Sequence, residues 1–277
     1  MLTDAQVEGY HRDGFVWVSQ FLDSAWLDRL RNVTEEFVER SRSVSGRNPS
    51  FDLEPDHSPD NPRLRRLNSP VDHHPTYWEF ASRAPIVDAV CDLIGPDIKF
   101  HHSKLNFKAS HGGEAVKWHQ DIGFWPHTNY SPLTVGVFLA EVSPGMGEVG
   151  FVPGSHDREL FDHYDGDRWT GSIRDAELPT VGVERAVYPT GPAGTITIHN
   201  CRTVHGSAPN ASGAPRPLLL NTYTAADAFA YTDIVRGSAH GEEIIRGEPA
   251  RWARHDSRPC QVGPGRYRPI FEVQQGE

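Results

Sequence analysis

Between about residues 99 and 270 the chain is written as short β-branched runs cut by proline and glycine, a pattern that points to antiparallel β structure. Leu133-Thr134-Val135-Gly136-Val137-Phe138-Leu139 is one such run. Ile196-Thr197-Ile198-His199, after the turn at Ala193-Gly194, is another, and residues 182–188 read as a third. The turn-dense Pro209-Asn210-Ala211-Ser212-Gly213-Ala214-Pro215 leads into a return strand, Arg216-Pro217-Leu218-Leu219-Leu220-Asn221-Thr222-Tyr223. Its proline lies near the start, where a missing N–H costs least. Residues 1–98 are patterned differently. Thr3-x-x-Gln6 is a capping box opening a helix to about His11, and a strand follows over residues 14–19. Asp23 can cap a second helix, with Trp26, Leu30, Val33 and Phe37 at helical spacing as a core stripe. Residues 41–63 read as a loop with a short strand at Phe51-Asp52-Leu53. Pro85 opens a helix carrying Ile86, Val90 and Leu93, which Gly95-Pro96 ends. The expectation is one domain over residues 1–277, mainly β with flanking α. Its first part, 1–98, is mostly helical, and 99–277 form the β core.

On that β background one constellation carries chemistry: His119-Gln120-Asp121, then His205, then Arg216 eleven residues later. Two imidazoles and one carboxylate on one face of a metal leave its other positions open, the ligand set of a non-haem Fe(II) oxygenase. On an extended segment residues i and i+2 project to the same side, so His119 and Asp121 can share a metal. The chain has 15 histidines, and His-x-Asp/Glu recurs at His11-Arg12-Asp13, His163-Tyr164-Asp165 and His240-Gly241-Glu242. His11 falls on a helix, where i and i+2 diverge. His163 sits in a polar stretch that reads as a solvated loop, and His240 has no apolar strand beside it. Only His119 follows an extended-looking run, Ala115-Val116-Lys117-Trp118, and is trailed by Ile122-Gly123-Phe124-Trp125. An antiparallel return can bring Arg216 beside His205, where its planar fork suits a carboxylate. His199 has no acidic residue at i+2 and reads as a structural strand histidine. Arg202 reads as a salt-bridge residue, with a second basic contact at the site as the alternative.

The same residues resemble the phytanoyl-CoA dioxygenase family of Fe(II)/2-oxoglutarate oxygenases. Trp118-His119-Gln120-Asp121, with Phe124-Trp125-Pro126-His127-Thr128-Asn129, is similar to that family's metal-strand block. Val152-Pro153-Gly154-Ser155-His156 resembles its Pro-Gly-Ser/Thr-His turn, and His205-Gly206-Ser207 through Arg216 its distal histidine and cosubstrate block. The opening Gly14-Phe15-Val16 is similar as well. The chain departs at Pro144-Gly145-Met146-Gly147-Glu148-Val149-Gly150, where many relatives carry an acidic-Asn-Gly segment.

The resemblance implies a double-stranded β-helix, a cupin-like jelly roll buttressed by helices. It implies iron held by His119, Asp121 and His205, and 2-oxoglutarate held at its far carboxylate by Arg216, with Ser207 or Lys108 adding hydrogen bonds. The expected reaction consumes O2 and 2-oxoglutarate, releases succinate and CO2, and hydroxylates a small molecule. Related halogenases leave a position for halide that Asp121 fills here, so hydroxylation is expected over chlorination, with desaturation and ring formation as variants. Trp118, Phe124, Trp125, His127 and Asn129 surround the metal strand as candidate substrate contacts, with ordinary sheet packing as their alternative. The substrate is expected to be a polar metabolite or a natural-product intermediate.

Composition narrows the partners. A net charge of −10 disfavours a sequence-independent grip on nucleic acid. There is no long apolar run, and Met1-Leu2-Thr3-Asp4 lacks a basic-then-apolar signal, so neither membrane nor export is expected. Three widely spaced cysteines (Cys91, Cys201, Cys260) argue against a disulfide framework and fit a reducing cytosol. Arg63, Arg65 and Arg66 form a basic cluster, either a solvated face or an anchor for an anionic group. The polar insertion at 157–181 is expected to help cover the pocket mouth. Two other readings stay open: a zinc hydrolase or cupin isomerase on the same barrel, in which Arg216 would be structural, and a non-catalytic ligand-binding barrel.

Overall fold

The computed structural model describes residues 1–46, 48–111, 113–232, 238–264 and 270–275. In chain order the elements begin α1 (Asp4–Asp13), β1 (Phe15–Val18), α2 (Ser24–Ser41), β2 (Phe51–Leu53), β3 (Leu64–Asn68), α3 (Pro75–Arg83), α4 (Pro85–Ile94) and β4 (Ile98–Asn106). The second half holds β5 (Val116–His119), β6 (Leu133–Phe138), β7 (Val149–Phe151), β8 (Tyr164–Asp165), β9 (Arg168–Trp169), α5 (Leu178–Val181), β10 (Ile196–Asn200), β11 (His205–Ser207), β12 (Leu218–Ala225), β13 (Ile244–Arg246) and α6 (Ile270–Gln275).

The helices begin where their side chains can satisfy free backbone N–H groups. Thr3 accepts from the Gln6 amide while Gln6 returns the bond to Thr3, and Asp23 accepts from Trp26 at 2.8 Å. A large antiparallel sheet runs in the order β1-β10-β6-β12-β4-β3-β2, with β13 also on β4; a smaller one runs β5-β11-β7. This is the two-sheet jelly roll the resemblance implies.

Strand alternation sorts the large sheet into two chemically different faces. Val135, Val137, Ile196, Ile198, Leu219, Tyr223, Phe100 and Leu105 pack with Leu30, Phe37, Tyr77, Phe80 and Ile86 of the helices into the main core. The alternate residues face the smaller sheet, and many of them are polar: Thr134, Thr197, His199, Thr222, Lys104, Asn106 and Arg66, with Phe138, Leu218 and Leu220 as an apolar patch among them. Buried polar groups in such number mark the inside of the barrel as a site as well as a core.

Two expectations are corrected. Residues 182–188 are no strand: Gly182 ends α5 in the left-handed region at φ 81°, and a 3-10 turn, Val183–Arg185, follows. Only Val187 bridges to Phe151. His163 is not in a solvated loop; it is buried, with Nδ1 on the Phe161 carbonyl at 2.9 Å and Nε2 accepting from the Gln120 amide at 2.9 Å. Among the described residues no helix is long and apolar enough to cross a membrane.

Candidate active site

The smaller sheet sets the two histidines side by side. His205 of β11 stands opposite His119 of β5 in the antiparallel register. Gln120 keeps an extended backbone (φ −120°, ψ 127°), and Asp121 then opens a 3-10 turn that carries its carboxylate beneath both rings. The ligand atoms of His119, Asp121 and His205 all lie within 4.8 Å of one another, the only such group of three among the described residues. His119 Nε2 is 3.8 Å and His205 Nε2 4.0 Å from Asp121 Oδ1.

Each side chain is aimed by a second contact. His119 Nδ1 donates to the Lys117 carbonyl at 2.8 Å and His205 Nδ1 to the Thr203 carbonyl at 2.9 Å, which leaves both Nε2 lone pairs pointing inward. Burial pushes the His119 imidazole down to about 4, and burial together with His119 and His199 holds His205 well below its ordinary value. Both are therefore neutral at pH 7, the form that ligates. Burial alone would raise the Asp121 carboxyl, but His205, the His199 hydrogen bond and Lys104 outweigh it and hold it well below the carboxylate range. Two neutral imidazoles and a carboxylate, with the facing side open, fit a divalent iron.

His199 is the strand histidine the sequence reading expected, with a partner that reading did not see. It does have an acidic partner: its Nε2 lies 3.3 Å from Asp121 Oδ2, while Thr134 Oγ1 reaches the same oxygen at 3.5 Å. The partner comes from across the barrel, where a search at i+2 cannot find it. Gln120 turns the other way. Its side chain accepts from Phe161 N at 2.9 Å and donates to the Arg202 carbonyl at 2.7 Å, fastening the metal strand from behind.

Arg216 lies in the same cavity, 3% exposed, with its Nε buried and unpartnered. Burial lowers it to about 10, so it stays charged. Lys108 lies beside it, donating to Ser207 Oγ at 2.6 Å and to the Ala208 carbonyl. Burial and the neighbouring Arg216 press Lys108 down to about 7. An orphaned guanidinium nitrogen, an ammonium and a hydroxyl at one end of a closed cavity fit the far carboxylate of a diacid. The departing loop at 144–150 adapts to this end: Gly147 (φ 67°) lies so close to Lys108 and the Ala208 carbonyl that a Cβ would collide with both.

The other expected residues divide. Phe124 sets its edge against His119 (centroids 5.7 Å apart), and Trp125 packs on His101 and His102 of β4. His127 is buried with Nδ1 on the Trp125 carbonyl and Nε2 unpartnered. Trp118 points to the outer face of the small sheet, against a cluster of Val152, Ile173, Val181 and Val204, because His119 takes the inner face. Asn129 has its amide on Asp227 and the Arg254 carbonyl and its carbonyl oxygen on Ser131 N, which makes it a loop anchor. None of these five residues lines the cavity.

The expectation for residues 157–181 also changes, since none of them is among the described residues lining the cavity. The insertion instead backs the metal strand, through Phe161 and His163 on Gln120 and Ile173 N on the Trp118 carbonyl at 2.8 Å. Ile270 and Phe271 of α6 line the cavity instead. Glu54, Arg65 and Phe271 also border an outer groove of about 780 Å³.

Comparison with known proteins agrees with this geometry. The profile of the family described as Phytanoyl-CoA dioxygenase (PhyH) matches residues 10–218. A probable alpha-ketoglutarate-dependent hypophosphite dioxygenase of Stutzerimonas stutzeri is 33% identical over 235 residues, covering 83% of this chain and 80% of that protein. An L-proline trans-4-hydroxylase of Streptomyces griseoviridis is 26% identical over 244 residues, covering 80% and 86%. In fold, the crystal structure of EctD from S. alaskensis with 2-oxoglutarate and 5-hydroxyectoine is similar at a TM-score of 0.71 and 22% identity, covering 95% of this chain and 88% of that one. With its His-x-Asp and distal histidine in place on the same jelly roll, the chain belongs to the phytanoyl-CoA dioxygenase family of Fe(II)/2-oxoglutarate-dependent dioxygenases.

Proposed function

We propose that the protein hydroxylates a small polar metabolite. The observation that carries this reading is the single cavity shared by the three metal-ligating side chains and the Arg216–Lys108–Ser207 end. His119 Nε2, Asp121 Oδ1 and His205 Nε2 would hold the iron. Arg216 would pair with the far carboxylate of 2-oxoglutarate, and Lys108, steadied by Ser207, would add a second charged donor. Iron with 2-oxoglutarate and O2 supplies the oxidising chemistry; the chain supplies position and a dry enclosure.

That enclosure has named parts. Phe124 packs against the His119 ring from behind the cavity wall, Trp125 and His127 pack on His101 of β4, and Phe271 lines the cavity itself. His199 fixes the Asp121 carboxylate so that one oxygen faces the metal position. The cavity sets charged and polar groups among apolar ones such as Phe151, Leu218 and Leu220, which suits a small molecule with a polar end, and relatives named for hypophosphite and for L-proline support that choice. The free cysteines Cys91, Cys201 and Cys260 fit a reducing cytosol.

The test is a screen of small polar acids, amino acids and amides for succinate release coupled to substrate oxidation. A true substrate gives succinate and a product heavier by one oxygen in equal amounts. Succinate without any oxidised product across the screen would overturn the assignment to small polar metabolites.

A further inference from the structure

The cavity holds more positive charge than iron and 2-oxoglutarate use. Its lining includes Arg65, Arg66, Lys104, Lys108 and Arg216 against Glu54, Glu114 and Asp121. Arg65 is matched, bonded to Glu54 at 3.1 Å and Glu114 at 2.8 Å. By formal charge the five cations still exceed the three carboxylates by two. A metal dication and a dianionic cosubstrate neutralise each other, so the imbalance persists with both in place. Charges taken out of water without a counter-charge are costly, which makes such a surplus informative.

The surplus has an address. Lys108 and Arg216 stand at one end, where the Arg216 amide bonds to the Phe107 and Lys108 carbonyls. Lys104 lies four residues back along β4, about 13 Å at the rise of a strand. It stands opposite Leu220 on one side and Asn68 on the other. One more inward step reaches His102, whose cross-strand partner Thr222 bonds to Thr134, the residue that touches Asp121. Lys104 therefore projects into the cavity close to the level of the metal ligands and away from the Arg216 end.

Arg66 joins it from β3. It is 4% exposed, lies opposite Asn106, and fixes its Nε on Asn106 Oδ1 at 2.8 Å, with its guanidinium over the Phe271 ring at 5.1 Å. Among the described residues no acceptor meets Lys104 Nζ or the terminal nitrogens of Arg66. Such a fork, held by Asn106, and a point charge that line the same cavity suit a carboxylate or a small phosphorus oxyanion.

We infer that Lys104 and Arg66 form a second anion site, separate from the Arg216–Lys108 end, which holds an acidic group of the substrate beside the metal. The inference rests on the cosubstrate assignment under Proposed function and adds that the substrate is a small anion. It accounts for the otherwise uncompensated charge, and it places the anchoring group next to the position where oxidation occurs.

The experiment is calorimetric titration of the Zn(II)-loaded protein, with and without saturating 2-oxoglutarate, using acetate and methylphosphonate as probes. At least one probe binds with 2-oxoglutarate already present, and which of them binds tells carboxylate from phosphorus oxyanion. Lys104→Met weakens that probe at least tenfold while 2-oxoglutarate binding changes by less than threefold. Lys104→Arg restores the probe, and Arg216→Met shows the opposite pattern. The inference is overturned if neither probe binds, if probe and 2-oxoglutarate compete, or if Lys104→Met weakens 2-oxoglutarate as much as Arg216→Met does. Failure of the cosubstrate assignment looks different: the wild type then binds no 2-oxoglutarate, whatever the probes do.

Discussion

His199 and Lys108 show how single residues tune the site without ligating anything. His199 holds the Asp121 oxygen that faces away from the histidines, so its loss frees the carboxylate to rotate. His199→Ala is expected to weaken iron affinity by about 10–100-fold, the range for removing a hydrogen bond behind a ligand. Competition with a chelator measures it, and unchanged affinity would show that Thr134 alone suffices. Lys108 sits at about 7, pressed down by burial and Arg216, so it is charged below that pH and neutral above. A dianion binds the charged form better, and binding in turn raises the lysine. Affinity for 2-oxoglutarate is therefore expected to be highest below pH 7 and to fall as pH rises through it. Lys108→Met should be weaker and flat; a wild-type affinity constant across that range would refute the role.

At the scale of elements, much of the frame was legible. The capping box of α1, the Asp23 cap of α2, the proline that opens α4 and the runs that became β6, β10 and β12 were all readable, because each is set by neighbours in sequence. The metal group was readable too, since i and i+2 on an extended segment share a side. What escaped depends on partners far along the chain. His199 needs Asp121 across the barrel, His163 is buried by Gln120, and Trp118 faces outward because His119 faces in. Residues 182–188 carry strand-favouring Val183, Val187 and Tyr188, but Gly182 supplies the left-handed turn that ends α5. The part α6 plays in the cavity wall was missed because it packs on a strand some 150 positions earlier, with Gln274 Oε1 accepting from Lys117 N at 2.8 Å. Gln274→Ala strips that acceptor, so faster hydrogen exchange at the Lys117 amide is expected, with little change at β6. Equal exchange in both would mean that α6 does not pin the metal strand.

Taken whole, the molecule is a helix-backed jelly roll whose inner surface gathers charged groups around one cavity. If residues 1–277 form one domain, as expected, heat should unfold it in a single cooperative transition. Zn(II) with 2-oxoglutarate should shift that transition upward, by roughly 2.7 kcal/mol of stability for a ligand at 100 times its dissociation constant. Two separated transitions, only one of them ligand-sensitive, would divide the chain. The central claim is that His119, Asp121 and His205 hold iron next to a 2-oxoglutarate anchored by Arg216. It is tested most directly by anaerobic titration of the metal-free protein with Fe(II) and 2-oxoglutarate, following the visible charge-transfer band of the chelate. The account predicts a band in the wild type, its loss in Asp121→Ala, and in Arg216→Ala a band that saturates only at much higher 2-oxoglutarate. Iron bound without a band in the wild type would contradict it.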